Sequence, residues 1–277
     1  MADVWNHGLI GILFPEDAPV WTLLFVLIPI AVGYLLGSVN TSILLSKFVY
    51  HDDIRKYGSG NAGTTNVMRT WGKGAAAATL VGDLAKTALA VIIGRLLMGE
   101  TGMYLGGFAA VCGHVWPCFF GFRGGKGVAA ALALVLFTEP IVALILLGVF
   151  ICIVAATKYI SLGSVMCVMM YPLFLNRMYM ILHHTPGVPF IPTLVSFCLM
   201  VVVIVKHREN IRRLMKGQEN KFSFKKTVKP KDGAAEAAET SEAVETAAEE
   251  TDPADDAGLR SDKPDPNTSK KKLKKRK

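Results

Sequence analysis

Four long apolar runs, Trp21–Lys47, Ala75–Met98, Ile141–Thr157 and Leu194–Val205, carry few charges and limit what this chain can become. In a bilayer every backbone polar group must be satisfied internally, and about 20 apolar helical residues achieve that across the hydrocarbon. The whole chain is 52% hydrophobic, too apolar for an ordinary soluble domain with a polar tail. The first run starts too late for a cleaved signal peptide, has no basic stretch before it, and ends without a small-residue cleavage site. The expectation is an all-α membrane bundle of about seven spans, near 20–48, 73–98, 103–118, 126–138, 140–157, 161–182 and 189–206.

Charge orients these spans. Alternate connections carry Arg55, Lys56, Arg69 and Lys73, then Arg123 and Lys126, then Lys158, then Lys206, Arg208, Arg212 and Arg213. The connections near 99–103, 138–140 and 183–189 have neither Lys nor Arg. The positive-inside rule puts the basic loops and the C-terminus in the cytoplasm and the N-terminus outside, which an odd number of spans satisfies. Residues 1–224 hold 17 Lys/Arg against 10 Asp/Glu, so the bundle suits anionic headgroups or substrates.

Three regions follow: a short extracytoplasmic segment over 1–19, the bundle over 20–224, and a charged tail over 225–277. The tail is acidic and Ala/Glu/Thr-rich over 232–256, then basic over 270–277. It lacks the apolar surface to fold and reads as disordered. Its basic end suits anionic lipid or nucleic acid, although a solvated tail is the plainer reading and no nucleic-acid partner is expected. Cys112, Cys118, Cys152, Cys167 and Cys198 lie in apolar stretches without CxxC or nearby His, so they read as small buried hydrophobes rather than metal ligands.

Polar chemistry concentrates on the basic side. The turn Gly121-Phe122-Arg123-Gly124-Gly125-Lys126-Gly127 combines close-approach glycines with two cations, a pattern suited to phosphate. It is no soluble phosphate loop, since Lys126 precedes Gly127 and both flanks are helical spans. A second stretch, Asp53 to Asn66, places Arg55 beside Gly58, Ser59, Gly60, Asn61 and Asn66. Arg55 matches a phosphate bidentately, while a plain connecting loop would use the same turn residues. Ser38 and Asn40 form a polar notch at the end of the first span, and a buried Asn needs partners. Asp83 and Lys86, three apart, can pair within the second span, and Arg95 is expected to snorkel.

His114 suits a base, a phosphate donor or an interhelical hydrogen bond. Lys158 and Ser161 flank another basic turn, where Lys158 also serves as an anchor. Lys206 to Arg213 ends the final span, and a basic stop-transfer segment does not explain His207, Glu209 and Asn210 within two turns. Three loops with one theme on one side suggest one site.

Taken in order, GSVNTS, DIRKYGSGNAGTTN, GHVWP–FFGFRGGKG, KYISLGS and KHRENIRRL resemble the bacterial membrane glycerol-3-phosphate acyltransferases that use acyl phosphate. The resemblance spans about residues 30–222. It implies seven spans in the bacterial inner membrane and acyl transfer from acyl phosphate to the 1-hydroxyl of glycerol 3-phosphate. It also implies Ser38, Arg55, Lys126, His207 and Asn210 as catalytic residues. Gly124, Gly125, Gly127 and Arg123 would bind phosphate, and Glu209 would keep the structure intact. One departure is visible: Asn40 stands where the family usually has proline. Acyl phosphate already carries a good leaving group, so this chemistry calls for no cofactor or metal. Membrane lipids surround the enzyme, and association with the acyl-phosphate-forming enzyme is a further expectation. The rival readings are a transporter or scramblase of phosphorylated lipids, which should show an opposite-facing polar entrance, and an assembly scaffold, which leaves the phosphate theme unexplained.

Overall fold

The computed structural model describes residues 8, 9, 12, 19–184 and 187–223. The tail expected over 225–277 lies outside them, as does nearly all of the 1–19 segment. From Pro19 onward the regular structure is helical: α1 (Pro19–Ser38), α2 (Thr41–Phe48), α3 (Thr64–Trp71), α4 (Lys73–Val115), α5 (Val128–Thr138), α6 (Pro140–Thr157), α7 (Ile160–His183), α8 (Phe190–Lys206) and α9 (Arg208–Met215). Two 3₁₀ turns, Ile54–Lys56 and Cys118–Phe120, interrupt the loops. Among the described residues, four stretches are long and apolar enough to cross a membrane, or five if α8 and α9, bent by 59°, count as one. This is an all-helical, multi-pass membrane protein.

Two breaks shape the first half of the bundle. Asn40 is extended (φ −88, ψ 108), and its Oδ1 accepts from the Ile43 amide at 3.1 Å. It therefore caps α2, and the polar notch at Ser38–Asn40 is a helix interruption. The second break is at Met98 (φ −136) and Gly99 (φ 55) inside α4. In one straight helix, residues 28 apart would be separated by about 42 Å, yet Lys86 Nζ lies 3.1 Å from His114 Nδ1. Helix α4 is a hairpin whose two arms fold back on one another. A Cβ at Gly94 would collide with the Gly102 carbonyl, and one at Gly102 with the Gly94 carbonyl, so the arms meet backbone to backbone. Arg95 does not snorkel outward: it is half-buried and reaches across the hairpin to Met103 Sδ at 3.2 Å.

Helix α1 seats against this hairpin through small residues. A Cβ on Gly33 would strike the Gly106 carbonyl, one on Gly37 the Ala110 carbonyl, and one on Gly113 the Tyr34 carbonyl. Lipid offers no hydrophobic drive between helices, so close backbone approach and dispersion hold them together. The larger apolar core joins α4 to α5, α6, α7 and α8 around Tyr104, Val111, Leu134, Val142, Leu175 and Leu199. At the end opposite the basic loops, Tyr104 donates to Glu139 at 2.7 Å and Tyr179 to Glu100 at 3.1 Å.

Candidate active site

Lys86 is the innermost cation of the site and is 9% exposed. Its ammonium donates to the Val39 carbonyl at 2.9 Å, approaches His114 Nδ1, and pairs with Asp83 Oδ1 at 2.9 Å. The Val39 contact is a hydrogen bond, and the Asp83 contact is an ion pair. His114 Nδ1 lies 3.1 Å from Lys86 Nζ and 3.4 Å from Asp83 Oδ1, facing a donor and an acceptor at once, and the other ring nitrogen is Nε2. That nitrogen faces Gly125, where an added Cβ would collide with it.

The glycine turn is packed onto His114. The Gly125 amide donates to the His114 carbonyl at 3.1 Å and the Gly124 amide to the Val115 carbonyl at 3.3 Å. These two amides are spent on backbone carbonyls, and Arg123 and Lys126 are the turn's charged groups. Gly121 (φ 66) and Gly127 (φ 82) bound it in the left-handed region. The result presents Arg123 and Lys126 on the two flanks of one rigid backbone segment.

On the Arg123 flank, the loop 53–66 is built around Asn66. Its Nδ2 donates to the carbonyls of Ile54 and Tyr57 at 3.2 and 3.0 Å, and its Oδ1 accepts from the Ser59 amide at 3.1 Å. Asn66 is thus committed to holding the loop. Gly58 (φ 52) and Gly60 (φ 71) make the turns, and the Asn61 carbonyl accepts from the Gly63 amide. Arg55 is gripped by Asp53 (Nη2 to Oδ2, 2.7 Å) and donates through Nη1 to the carbonyls of Phe120 at 2.8 Å and Arg123 at 3.3 Å. Much of its bidentate fork is therefore occupied, and Arg55 fastens this loop to the glycine turn. An open cleft remains between them, lined by Lys47, Arg55, Lys56 and Arg123 with Asp53 and Gly60.

The Lys126 flank holds a denser network. Lys126 Nζ donates to Asn210 Oδ1 at 2.5 Å, and Asn210 Nδ2 donates to Glu219 Oε1 at 2.6 Å. Glu219 also accepts from Ser161 Oγ at 2.9 Å and Arg213 Nε at 2.8 Å. Burial, with Arg213, Arg69 and Lys206 nearby, pushes Lys126 down to about 8 against the pull of Glu219. His207 sits at the α8–α9 bend, with Nδ1 donating to the Val203 carbonyl at 2.8 Å, so its Nε2 is the acceptor. Burial and the Lys126 charge push His207 down to about 4.

Three expected residues are placed differently. Glu209 is exposed and pairs only loosely with Arg208 and Arg212, at 3.9 and 3.5 Å. The carboxylate that ties this region together is Glu219, which sequence reasoning passed over. Its only signal was being the single acidic residue between Asn210 and Phe224. Lys158 has an exposed side chain and a left-handed backbone (φ 64), and contributes its carbonyl, which accepts from the Phe222 amide at 2.6 Å. Ser38 is fully buried; it donates to the Tyr34 carbonyl at 2.8 Å and accepts weakly from the Cys118 amide at 3.4 Å. Among the described residues, no group of three or more His, Cys, Asp or Glu gathers as a metal site.

Below Lys126 an apolar groove opens between α5, α6, α7 and α8, with Val128, Ser164 and Val203 among its lining residues. One cationic cleft, the Lys126 network and an apolar groove lie around one glycine turn, an arrangement that suits substrates carrying phosphate and a chain. The family model for glycerol-3-phosphate acyltransferase matches residues 27–217. The chain belongs to the glycerol-3-phosphate acyltransferase family. Glycerol-3-phosphate acyltransferases from Geobacter sulfurreducens and Thermoanaerobacter pseudethanolicus are 46% and 40% identical, over 71% and 72% of this chain and 97% and 96% of their own lengths. The crystal structure of PlsY (YgiH), an integral membrane glycerol 3-phosphate acyltransferase, in its glycerol 3-phosphate form, is 34% identical with TM-score 0.65. It aligns over 72% of this chain and 96% of that one. Its lysophosphatidic acid form gives 33% and 0.62 over the same shares.

Within this acyltransferase fold, Glu219 makes a pH-dependent contribution to stability. Burial alone would raise its carboxyl, but hydrogen bonds from Asn210, Arg213 and Ser161 outweigh that and hold it below the ordinary value. A depressed folded-state value stabilises above the unfolded value, about 4.3, and the benefit disappears as pH falls through the folded one. Glu219→Gln should lower the thermal midpoint at neutral pH and flatten its decline below about pH 4.3. A variant whose midpoint follows the parent's at every pH would show that the network is idle.

Proposed function

We propose that this chain transfers a fatty acyl group from acyl phosphate to the 1-hydroxyl of glycerol 3-phosphate. The products are lysophosphatidate and inorganic phosphate, in the first acylation step of bacterial phospholipid synthesis. The observation that carries this reading is the cationic cleft on one flank of the glycine turn and Lys126 on the other, with the apolar groove beneath Lys126. The acyl phosphate places its chain in the groove and its head at Lys126 and Asn210. Glycerol 3-phosphate enters the open cleft lined by Lys47, Arg55, Lys56 and Arg123. Family membership supports both substrates.

The glycerol hydroxyl attacks the acyl carbonyl directly. The new C–O ester bond forms, the acyl C–O bond to phosphate breaks, and its electron pair leaves with inorganic phosphate. Holding the reactants in line contributes several kcal/mol by proximity, and Lys126 neutralises charge on the departing phosphate. Ser38, anchored between Tyr34 and Cys118, fixes the end of α1 beneath the turn. His114, held by Lys86 and Asp83 through Nδ1, presents Nε2 to Gly125 and supports the turn. His207 Nε2 is an acceptor pushed down to about 4, whereas a phosphate monoester has a second pKa of about 6. The substrate phosphate is thus the stronger base and takes the hydroxyl proton, while His207 stays neutral.

Seven crossings complete the proposal. They are α1 with α2, the two arms of α4, short α5, and α6, α7 and α8, with the basic end in the cytoplasm of a bacterial inner membrane and the N-terminus outside. Cytosolic glycerol 3-phosphate then has direct access. Membrane lipids are the surrounding partners, and an acyl-phosphate-forming enzyme could deliver its unstable product at this face. No nucleic-acid partner is proposed.

Purified protein with labelled glycerol 3-phosphate should form lysophosphatidate from palmitoyl phosphate and none from palmitoyl-CoA. Product from the thioester alone, or from neither donor with a folded sample, would refute the donor assignment. Lys126 is a cation below pH 8, so the apparent KM for acyl phosphate should rise about tenfold per pH unit above it. Lys126→Arg should move that rise upward, because guanidinium stays charged. An unchanged pH profile would remove Lys126 from phosphate binding.

A further inference from the structure

One stripe of α8 runs from the apolar core to the site. Leu199, Val203 and Lys206 are four and three residues apart, so they fall along one side of the helix. Leu199 and Val203 are buried and line the apolar groove. Lys206 continues their stripe by one turn at the basic end, where it is half-buried. On α5, another wall of the same groove, the lining residue Val128 follows Lys126 by two residues. The basic end of the groove is therefore bracketed by two lysines, one from the glycine turn and one from α8.

Lys206 is held without being neutralised. Its Nζ lies 5.5 Å from the centre of the Trp116 ring, within cation–π range. Among the described residues its ammonium has no carboxylate at ion-pair distance, unlike Arg55, Lys56, Lys86 and Arg213. The indole is fixed through its own backbone. The Trp116 amide donates to the Cys112 carbonyl at 2.7 Å, and the Trp116 carbonyl accepts from the Tyr34 hydroxyl at 2.8 Å. An aromatic face steadies a cation and leaves its N–H donors for an anion. A lysine that only ended a membrane span would extend its ammonium to water and headgroups. This one stays on the core-facing stripe, and it is one of the charges that push Lys126 down to about 8.

We infer that Lys206, steadied by Trp116, is a second phosphate-binding cation for the acyl phosphate head and acts with Lys126 at the mouth of the groove. This rests on the acyl-transfer reading above. A terminal phosphate carries about −1.5 to −2 charges at neutral pH, which one ammonium leaves partly unbalanced. The chain lying in the groove brings the head between the two lysines. Glycerol 3-phosphate has no such chain and takes the cleft on the Arg123 flank, so Lys206 bears on the donor and not on the acceptor.

The test compares the KM values of the full chain for palmitoyl phosphate and glycerol 3-phosphate. Lys206→Gln should raise the first about tenfold or more, the worth of a charged hydrogen bond, and leave the second in place. Lys206→Arg keeps the charge and should restore most of the affinity, and Trp116→Leu should raise the palmitoyl phosphate KM about threefold. Lys126 faces Glu219, Arg213, Arg69, Lys206 and His207. Removing one cation from that set should move the pH break of the palmitoyl phosphate KM upward from about 8 in Lys206→Gln and not in Lys206→Arg. Equal rises in both KM values, or a donor KM and pH break that stay at the parent's, would reduce Lys206 to a membrane anchor and overturn the proposal. If Lys206→Gln fails to fold, Trp116→Leu decides by the same comparison. Hexadecyl phosphate has the head and chain without the acyl carbonyl, so its effect on the thermal midpoint reads binding without turnover. Its dissociation constant should rise about tenfold in Lys206→Gln. That rise with no product from any donor would refute acyl transfer alone. Turnover with an unmoved hexadecyl phosphate affinity would refute the Lys206 site alone.

Discussion

The ammonium of Lys86 joins parts of the chain that are otherwise separate. It bonds to Val39 at the break between α1 and α2, to Asp83 on its own arm of α4, and to His114 on the other arm. An unpaired charge near the centre of a membrane helix costs about 3 kcal/mol, and loss of one partner from a buried pair costs about 3–5 kcal/mol. That penalty disfavours arrangements in which these segments are apart. His114 then carries the constraint outward, because its carbonyl and ring support Gly125 and Gly124. The glycine turn can only sit where the junction puts it, and Arg123 and Lys126 follow.

A second constraint comes from the basic end itself. Lys47, Arg55, Lys56 and Arg123 share one cleft, and Arg69, Lys206 and Arg213 act on Lys126 across the turn, so cation repels cation on both flanks. The chain offsets this with local acids. Asp53 holds Arg55, Asp52 pairs with Lys56 at 2.8 Å, and Glu219 holds Arg213. Lys126 bonds to a neutral Asn210 and to no acid directly, and burial has pushed it down to about 8. A cation with that environment gains most from a phosphate, whereas the pre-paired ones mainly hold the walls.

Much of the architecture was legible because membrane insertion writes itself plainly into sequence. The apolar runs and the alternation of Lys/Arg-rich with Lys/Arg-free connections gave the helical segments, and the gap near 99–103 marked the hairpin turn of α4. The site was legible by residue but not by role. Arg55 reads as a free phosphate fork, yet Asp53 two residues earlier takes much of that fork, a pairing that only the 3₁₀ turn makes possible. Gly124 and Gly125 read as amide donors, yet close packing on His114 consumes those amides. Glu219 was invisible because its importance arises from the chain folding back to Ser161, which no local periodicity signals. Glu209, in the more suggestive position, faces out from a short amphipathic helix.

The dependence of the site on the buried junction is most directly tested by a double-mutant cycle, Asp83→Asn with Lys86→Met, read as the free energy of unfolding in detergent. Each single substitution strands a buried polar partner, so each should be strongly destabilising. The double should recover part of the loss, with a coupling of about 2 kcal/mol or more. Single variants close to the parent in stability, with coupling near zero, would contradict the account.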